Sequence, residues 1–167
     1  QIEIALGAQI ETSISEELRR EKLFGYKAIP MCSRDHPLAG RTDLTVSDLA
    51  RDDWILPGRS DPMRQQVMGR LMRADVTPQE PFIETDSLSF MVRMMSLMPL
   101  ITLLPDSLLT VPTVRDTMVP LKVPEMSWER TSWLYTRRAV KPSPLAKAMI
   151  KELKKVAEDI DVRASSY

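Results

Sequence analysis

The chain has 167 residues and a formal net charge of zero, with 23 Lys and Arg against 23 Asp and Glu. Hydrophobic residues at 43% and charged residues at 28% are ordinary for a globular chain, which excludes extended disorder, and no overall basic field recruits nucleic acid. The longest apolar run, Leu97 to Leu104, is broken by Pro99 and Thr102 and is too short for a bilayer. The single cysteine excludes an internal disulfide and a Cys-based zinc site, so these features suggest a cytoplasmic, soluble protein.

Short apolar strands alternate with helical patterns, the signature of an α/β protein with a parallel sheet. Gln1 to Gly7 opens in strand-like alternation with no initiator Met, so the sequence reads as a fragment or the ordered part of something longer; its first strand is expected over Ile2 to Leu6. Ser15 to Leu23 fits an exposed helix or an edge strand equally well. Ala28 to Cys32 is a second strand, and Pro30 within it argues for an edge or a bulge. A polar turn, Ser33-Arg34-Asp35-His36-Pro37, comes next.

Leu44 to Ala50 predicts a short helix and Trp54-Ile55-Leu56 a brief strand ended by Pro57-Gly58. Asp61 is placed to cap a helix with Pro62 at its first position and an apolar stripe of Val67, Met68, Leu71 and Met72. Pro81 to Glu84 is a strand leading through Thr85-Asp86-Ser87 into a helix carrying Leu88, Met91, Val92, Met95 and Met98. Leu100 to Leu104 is a buried-type strand, and Leu121 to Trp128 is a proline-marked connection. Ser132 to Thr136 is the last strand. A long final helix starts at Ser143-Pro144 and lines Leu145, Met149, Leu153, Val156 and Ile160 along one side.

The residues offer little for catalysis. His36, the only histidine, sits in a turn, where a turn role is favoured over a general base, and Cys32 in an apolar strand behaves as a small hydrophobe. No metal-ligand spacing and no glycine-rich phosphate loop occurs, so neither a metal nor a cofactor is expected. Binding is better served. Two helices begin directly after strands, at Ser60-Asp61-Pro62 and Asp86-Ser87, and in an open α/β sheet such starts share one edge, where ligands bind. From pattern alone, however, Ser60, Asp61, Asp86 and Ser87 are favoured as simple helix caps over ligand contacts. Arg59 and Arg64 flank the first of these starts and are either solvated or able to hold a carboxylate.

The ordered set Asp35-His36-Pro37-Leu38-Ala39, Leu44-Thr45-Val46-Ser47-Asp48-Leu49, Trp54-Ile55-Leu56, Arg64, Glu84-Thr85-Asp86-Ser87 and Ile101-Thr102-Leu103-Leu104-Pro105 resembles the effector-binding domain of LysR-type transcriptional regulators, from about Ile2 to Ile160. The resemblance implies a two-lobed, periplasmic-binding-protein-like α/β fold with lobe one incomplete. Residues 1–22 and 122–160 would form the partial first lobe, 23–121 the second, and 161–167 a tail. It also implies a small effector, a carboxylate or aromatic acid, held between the lobes by Arg59, Ser60, Asp61, Asp86 and Ser87 together with Gly7, Ala8 and Gln9. Ser15 to Leu23 becomes extended on the same analogy. Self-association as a homodimer or homotetramer is implied, with promoter DNA reached only through an upstream winged helix-turn-helix, and with no membrane partner. One departure stands out: Met98-Pro99-Leu100 replaces the family's Gly-x-Gly turn, so the positive-φ turn is disfavoured there. The rival readings are a transporter's solute-binding protein and an enzyme using His36 or Cys32.

Overall fold

The computed structural model describes residues 2–8, 16–73 and 77–164. The chain divides into two compact units, one of Gln1–Lys27 with Glu129–Tyr167 and one of Ala28–Trp128.

In the first unit, β1 (Ile4–Ala8) pairs antiparallel with β7 (Trp128–Arg137), Leu6 opposite Leu134 and Gly7 opposite Trp133. On the far side of β7 lies the first part of β2 (Leu18–Ser33), where the Arg138 backbone N–H donates to the Glu17 carbonyl and its guanidinium to the Leu18 carbonyl. The extended reading of the stretch before Leu23 therefore holds from Leu18 onward. The small residues Ala5 and Gly7 share a face with Tyr135 and Trp133, and the Arg20 guanidinium stands 4.7 Å from the Trp133 ring centre.

The unit's helix, α5 (Pro144–Ala164), corrects the expected apolar stripe. Leu145, Met149 and Val156 are exposed, while Ala146 and Ala157 are buried and Ile150, Leu153 and Ile160 are half-buried. The seam runs 146, 150, 153, 157, 160, which is as good a helical period as the bulkier row beside it. Alanine lets the helix approach closely, and size, not period, decides between the two rows.

The second unit holds both large apolar clusters. Its central strand is the last part of β2, with β5 (Ile101–Pro105) on one side and β6 (Met118–Pro120) on the other, both antiparallel to it. The expected parallel sheet is thus corrected for this part of the molecule, where the pairing is antiparallel. Between β5 and β6 the chain forms a 3-10 turn, Asp106–Thr110, and α4 (Pro112–Thr117). The alternation of strand and helix does mark a crossover, but β2 lies between the two strands it joins. Pro30, expected at an edge or bulge, is buried in this middle strand, opposite Leu103. Its carbonyl accepts from the Leu121 N–H.

A second, parallel pair is β3 (Ile55–Leu56) with β4 (Ile83–Glu84), joined to β5 by a parallel bridge between Trp54 and Ile101. Strand alternation sorts the core. Trp54, Leu56, Ile101 and Leu103 face one cluster with Leu49 of α1 (Val46–Ala50) and Val67 and Leu71 of α2 (Pro62–Leu71). Ile55, Leu100 and Leu104 face the other, with Met91 and Met95 of α3 (Leu88–Met95), Val114 and Met118. The methionine-rich helix therefore fills core. The α1 helix starts with a reciprocal capping box, Thr45 with Asp48, and Met72, placed on the α2 stripe by sequence, is exposed; Arg64 takes its place in the buried row. At the departure noted above, α3 ends at Met95 and unwinds through Ser96 to Met98, whose N–H groups return to Val92, Arg93 and Met94 carbonyls. No non-glycine residue with positive φ occurs among the described residues, so Pro99 leaves this turn on a different path from a glycine-based one.

Candidate functional site

Because β3 and β4 run parallel, both end at the same edge of the second unit, and α2 and α3 start there. Loop 57–61 leaves β3 and loop 85–87 leaves β4. A hydrogen bond of 3.3 Å from the Gly58 N–H to Asp86 Oδ1 joins them. Thr85 N–H also donates to the Leu56 carbonyl at 3.0 Å.

The expected site residues in this unit come together on those two loops. Asp61 is the N-cap of α2, accepting from Met63 N–H at 2.7 Å and Arg64 N–H at 3.4 Å, with Pro62 as the first helical residue. Ser87 is the N-cap of α3, its Oγ accepting from Phe90 N–H at 3.3 Å and lying 3.1 Å from Ser89 Oγ. Asp86 is committed to Gly58, as above. Ser60 is exposed at the loop's crest, and Arg59 beside it reaches Glu80 at 3.5 Å, with both side chains mostly in solvent. Gly7 and Ala8 lie in the first unit on β1, opposite Trp133 and Ser132. Gln9 lies outside the described residues.

Arg64 is neither solvated nor open to a ligand. It is 5% exposed, and its guanidinium donates to Glu84, to Glu80 at 2.9 Å and to the Pro57 carbonyl at 3.2 Å. Sequence reading missed this role. The available signal was its place three residues before Val67, on the 64–67–71 row that α2 buries.

His36 and Cys32 are structural. The His36 ring is buried. Its Nδ1 accepts from the Leu38 N–H at 3.1 Å, which places the ring proton on Nε2, and that nitrogen donates to Asp52 Oδ1 at 3.2 Å. Burial, reinforced by the Asp52 charge, pushes the Cys32 thiol up to about 12, far from a reactive thiolate at neutral pH. Among the described residues no cluster of His, Cys, Asp or Glu has the arrangement to hold a metal ion, and no helix is long and apolar enough to cross a membrane.

Comparison with curated proteins finds no match. Several solved structures share the fold. The regulatory domain of Synechocystis PCC6803 CcmR, solved in complex with 2-PG, is 17% identical with a TM-score of 0.75, over 93% of this chain and 73% of that one. The bromide-bound regulatory domain of HypT from Salmonella typhimurium is 13% identical with a TM-score of 0.72, over 94% and 73%. An OxyR mutant from Corynebacterium glutamicum is 20% identical with a TM-score of 0.69, over 99% of this chain and 51% of that one. At these identities the likeness establishes the fold, a two-lobed periplasmic-binding-protein-like α/β architecture. Residues 1–158 match the LysR substrate binding domain, and the chain belongs to that family.

Proposed function

We propose that this effector-sensing domain of a LysR-type regulator binds a small carboxylate, aliphatic or aromatic, on loops 57–61 and 85–87. One observation carries the reading: the parallel β3–β4 pair brings two helix starts to one edge and ties them through Gly58 and Asp86. Asp61 and Asp86 already accept from backbone N–H groups, so they shape the site and do not supply its positive charge. That charge comes from Arg59. Its exposed ion pair with Glu80 is worth no more than about 1 kcal/mol and yields readily to a ligand carboxylate. The Ser60 hydroxyl and the Ser87 hydroxyl add donors beside it. The bromide ion bound to the HypT regulatory domain is compatible with an anion on this fold.

Calorimetry with acetate, succinate and benzoate tests the site. The expected outcome is binding by the wild-type protein that weakens about tenfold in Ser60→Ala and Ser87→Ala, the loss of one charge-assisted hydrogen bond. Undiminished affinity in both variants removes these residues from the site. Benzamide binding as well as benzoate would remove Arg59's charge from the account.

LysR-type regulators act as oligomers on DNA, and family membership assigns this domain to regulation and not to transport. In this reading the domain itself reads no DNA and performs no catalysis. It responds to effector in the cytoplasm by altering the geometry of a homodimer or homotetramer, with promoter contact made by a winged helix-turn-helix elsewhere in the regulator. Coupling requires the effector to favour one of two arrangements. Sedimentation with and without the bound carboxylate reads this directly; an unchanged, purely monomeric boundary counts against it.

A further inference from the structure

We infer that Arg64 is the positioning residue of this site: a single buried guanidinium sets the spacing between the two ligand loops. The inference rests on the site reading above. Burying a guanidinium costs several kcal/mol unless its donors are matched, so its acceptors show what the burial serves. Two of the three acceptors stand at the loops, and the third holds a residue of one of them. The Pro57 carbonyl opens loop 57–61, Glu84 ends β4 just before loop 85–87, and Glu80 is the same carboxylate that holds Arg59. Arg64 is anchored at the other end too, because Asp61, which closes loop 57–61, caps its backbone N–H.

The result is a closed ring of fixed geometry. From Arg64 it passes to Pro57, along the loop to Asp61, and back to Arg64, with a branch to Glu84 on the neighbouring loop. The planar fork of arginine serves the carbonyl and two carboxylates together, which a lysine ammonium on a flexible stem does not reproduce. Glu80 takes one oxygen to Arg64 and presents the other to Arg59, so Arg64 also sets where the ligand-facing cation rests.

Hydrogen exchange on the ligand-free protein tests the clamp. In Arg64→Lys, the amides of Gly58, Asp61, Thr85 and Ser87 are expected to exchange about tenfold faster through local opening, while Ile101 to Leu104 of β5 stay within about twofold of wild type. Glu84→Gln, an exposed change that leaves the buried cation in place, should loosen the same loops to a smaller degree. Uniform acceleration that includes β5 would show that Arg64 supports the whole unit and does not position the loops. No acceleration in either variant overturns the clamp outright. A benzoate titration of the same variants separates the two ideas. Loosened loops with benzoate affinity lowered about tenfold support both, as expected when binding needs preorganised groups. Loosened loops with no binding of benzoate, acetate or succinate by wild type leave the clamp standing and remove the carboxylate reading. Loosened loops with unchanged benzoate affinity show that the loops are clamped for a reason other than the ligand, and overturn the positioning role.

Discussion

At the scale of single residues, the informative polar side chains are the buried ones. His36 ties the turn after β2 to the segment after α1, through Leu38 and Asp52. Burial alone would raise the Asp52 pKa. The His36 hydrogen bond and the Asp53 backbone N–H outweigh it, and the net direction is down. The stabilisation from a carboxylate lowered in this way is complete above its ordinary value of about 3.9 and is lost as pH falls through the lower, folded value. Urea denaturation of wild type and Asp52→Asn should therefore show a stability difference that is constant near neutrality and shrinks only below about pH 4. A difference that stays constant into acid would mean that Asp52 does not titrate with folding. Arg64 teaches the same lesson. Its charge marked it as a surface group, and only its neighbours reveal a buried anchor.

At the scale of elements, caps were legible because their chemistry is local. Asp61-Pro62 and Ser87 sit at helix starts in the sequence and in the structure, since a side-chain oxygen two or three residues from an unpaired N–H needs no tertiary help. The segment 106–120 shows the opposite case: its 3-10 turn, α4 and β6 are short and lack a strong period, and they rest on tertiary partners, the turn on α4 and β5, α4 on α3, and β6 on β2. Helix α5 separates period from packing. Ala157 is 3% exposed and Leu145 is 77% exposed, although both lie on plausible apolar rows. Ala157→Leu should destabilise by about 1–3 kcal/mol by overpacking, and Leu145→Ser should change stability by less than about 0.5 kcal/mol. Chemical denaturation of the two variants checks the seam; the reverse order of costs would place Leu145, not Ala157, on the buried side of the helix.

At the scale of the whole molecule, apolar burial is uneven. Both core clusters draw all their buried members from the unit Ala28–Trp128, whereas the first unit buries Leu134, Ala146 and Ala157 and exposes Ile2, Leu6, Leu145, Met149 and Val156. A polypeptide of residues 28–128 should accordingly fold by itself and unfold cooperatively in urea, with dispersed methyl resonances from Met31, Met91, Met95 and Met118. Collapsed resonances would mean that this core requires the remainder of the chain.

The sequence by itself determined the α/β class, the family, the caps of α2 and α3, and the two loops that bear Ser60 and Ser87. These follow from local chemistry and from an ordered series of short motifs, neither of which needs a partner in space. Only the tertiary structure decided that β2 runs antiparallel between β5 and β6, that Pro30 is central, that alanines are buried on α5, and that Arg64 is buried against Pro57, Glu80 and Glu84. Strand direction, burial and ion-pair choice depend on which segments meet across long stretches of chain, and a one-dimensional period carries no record of that meeting.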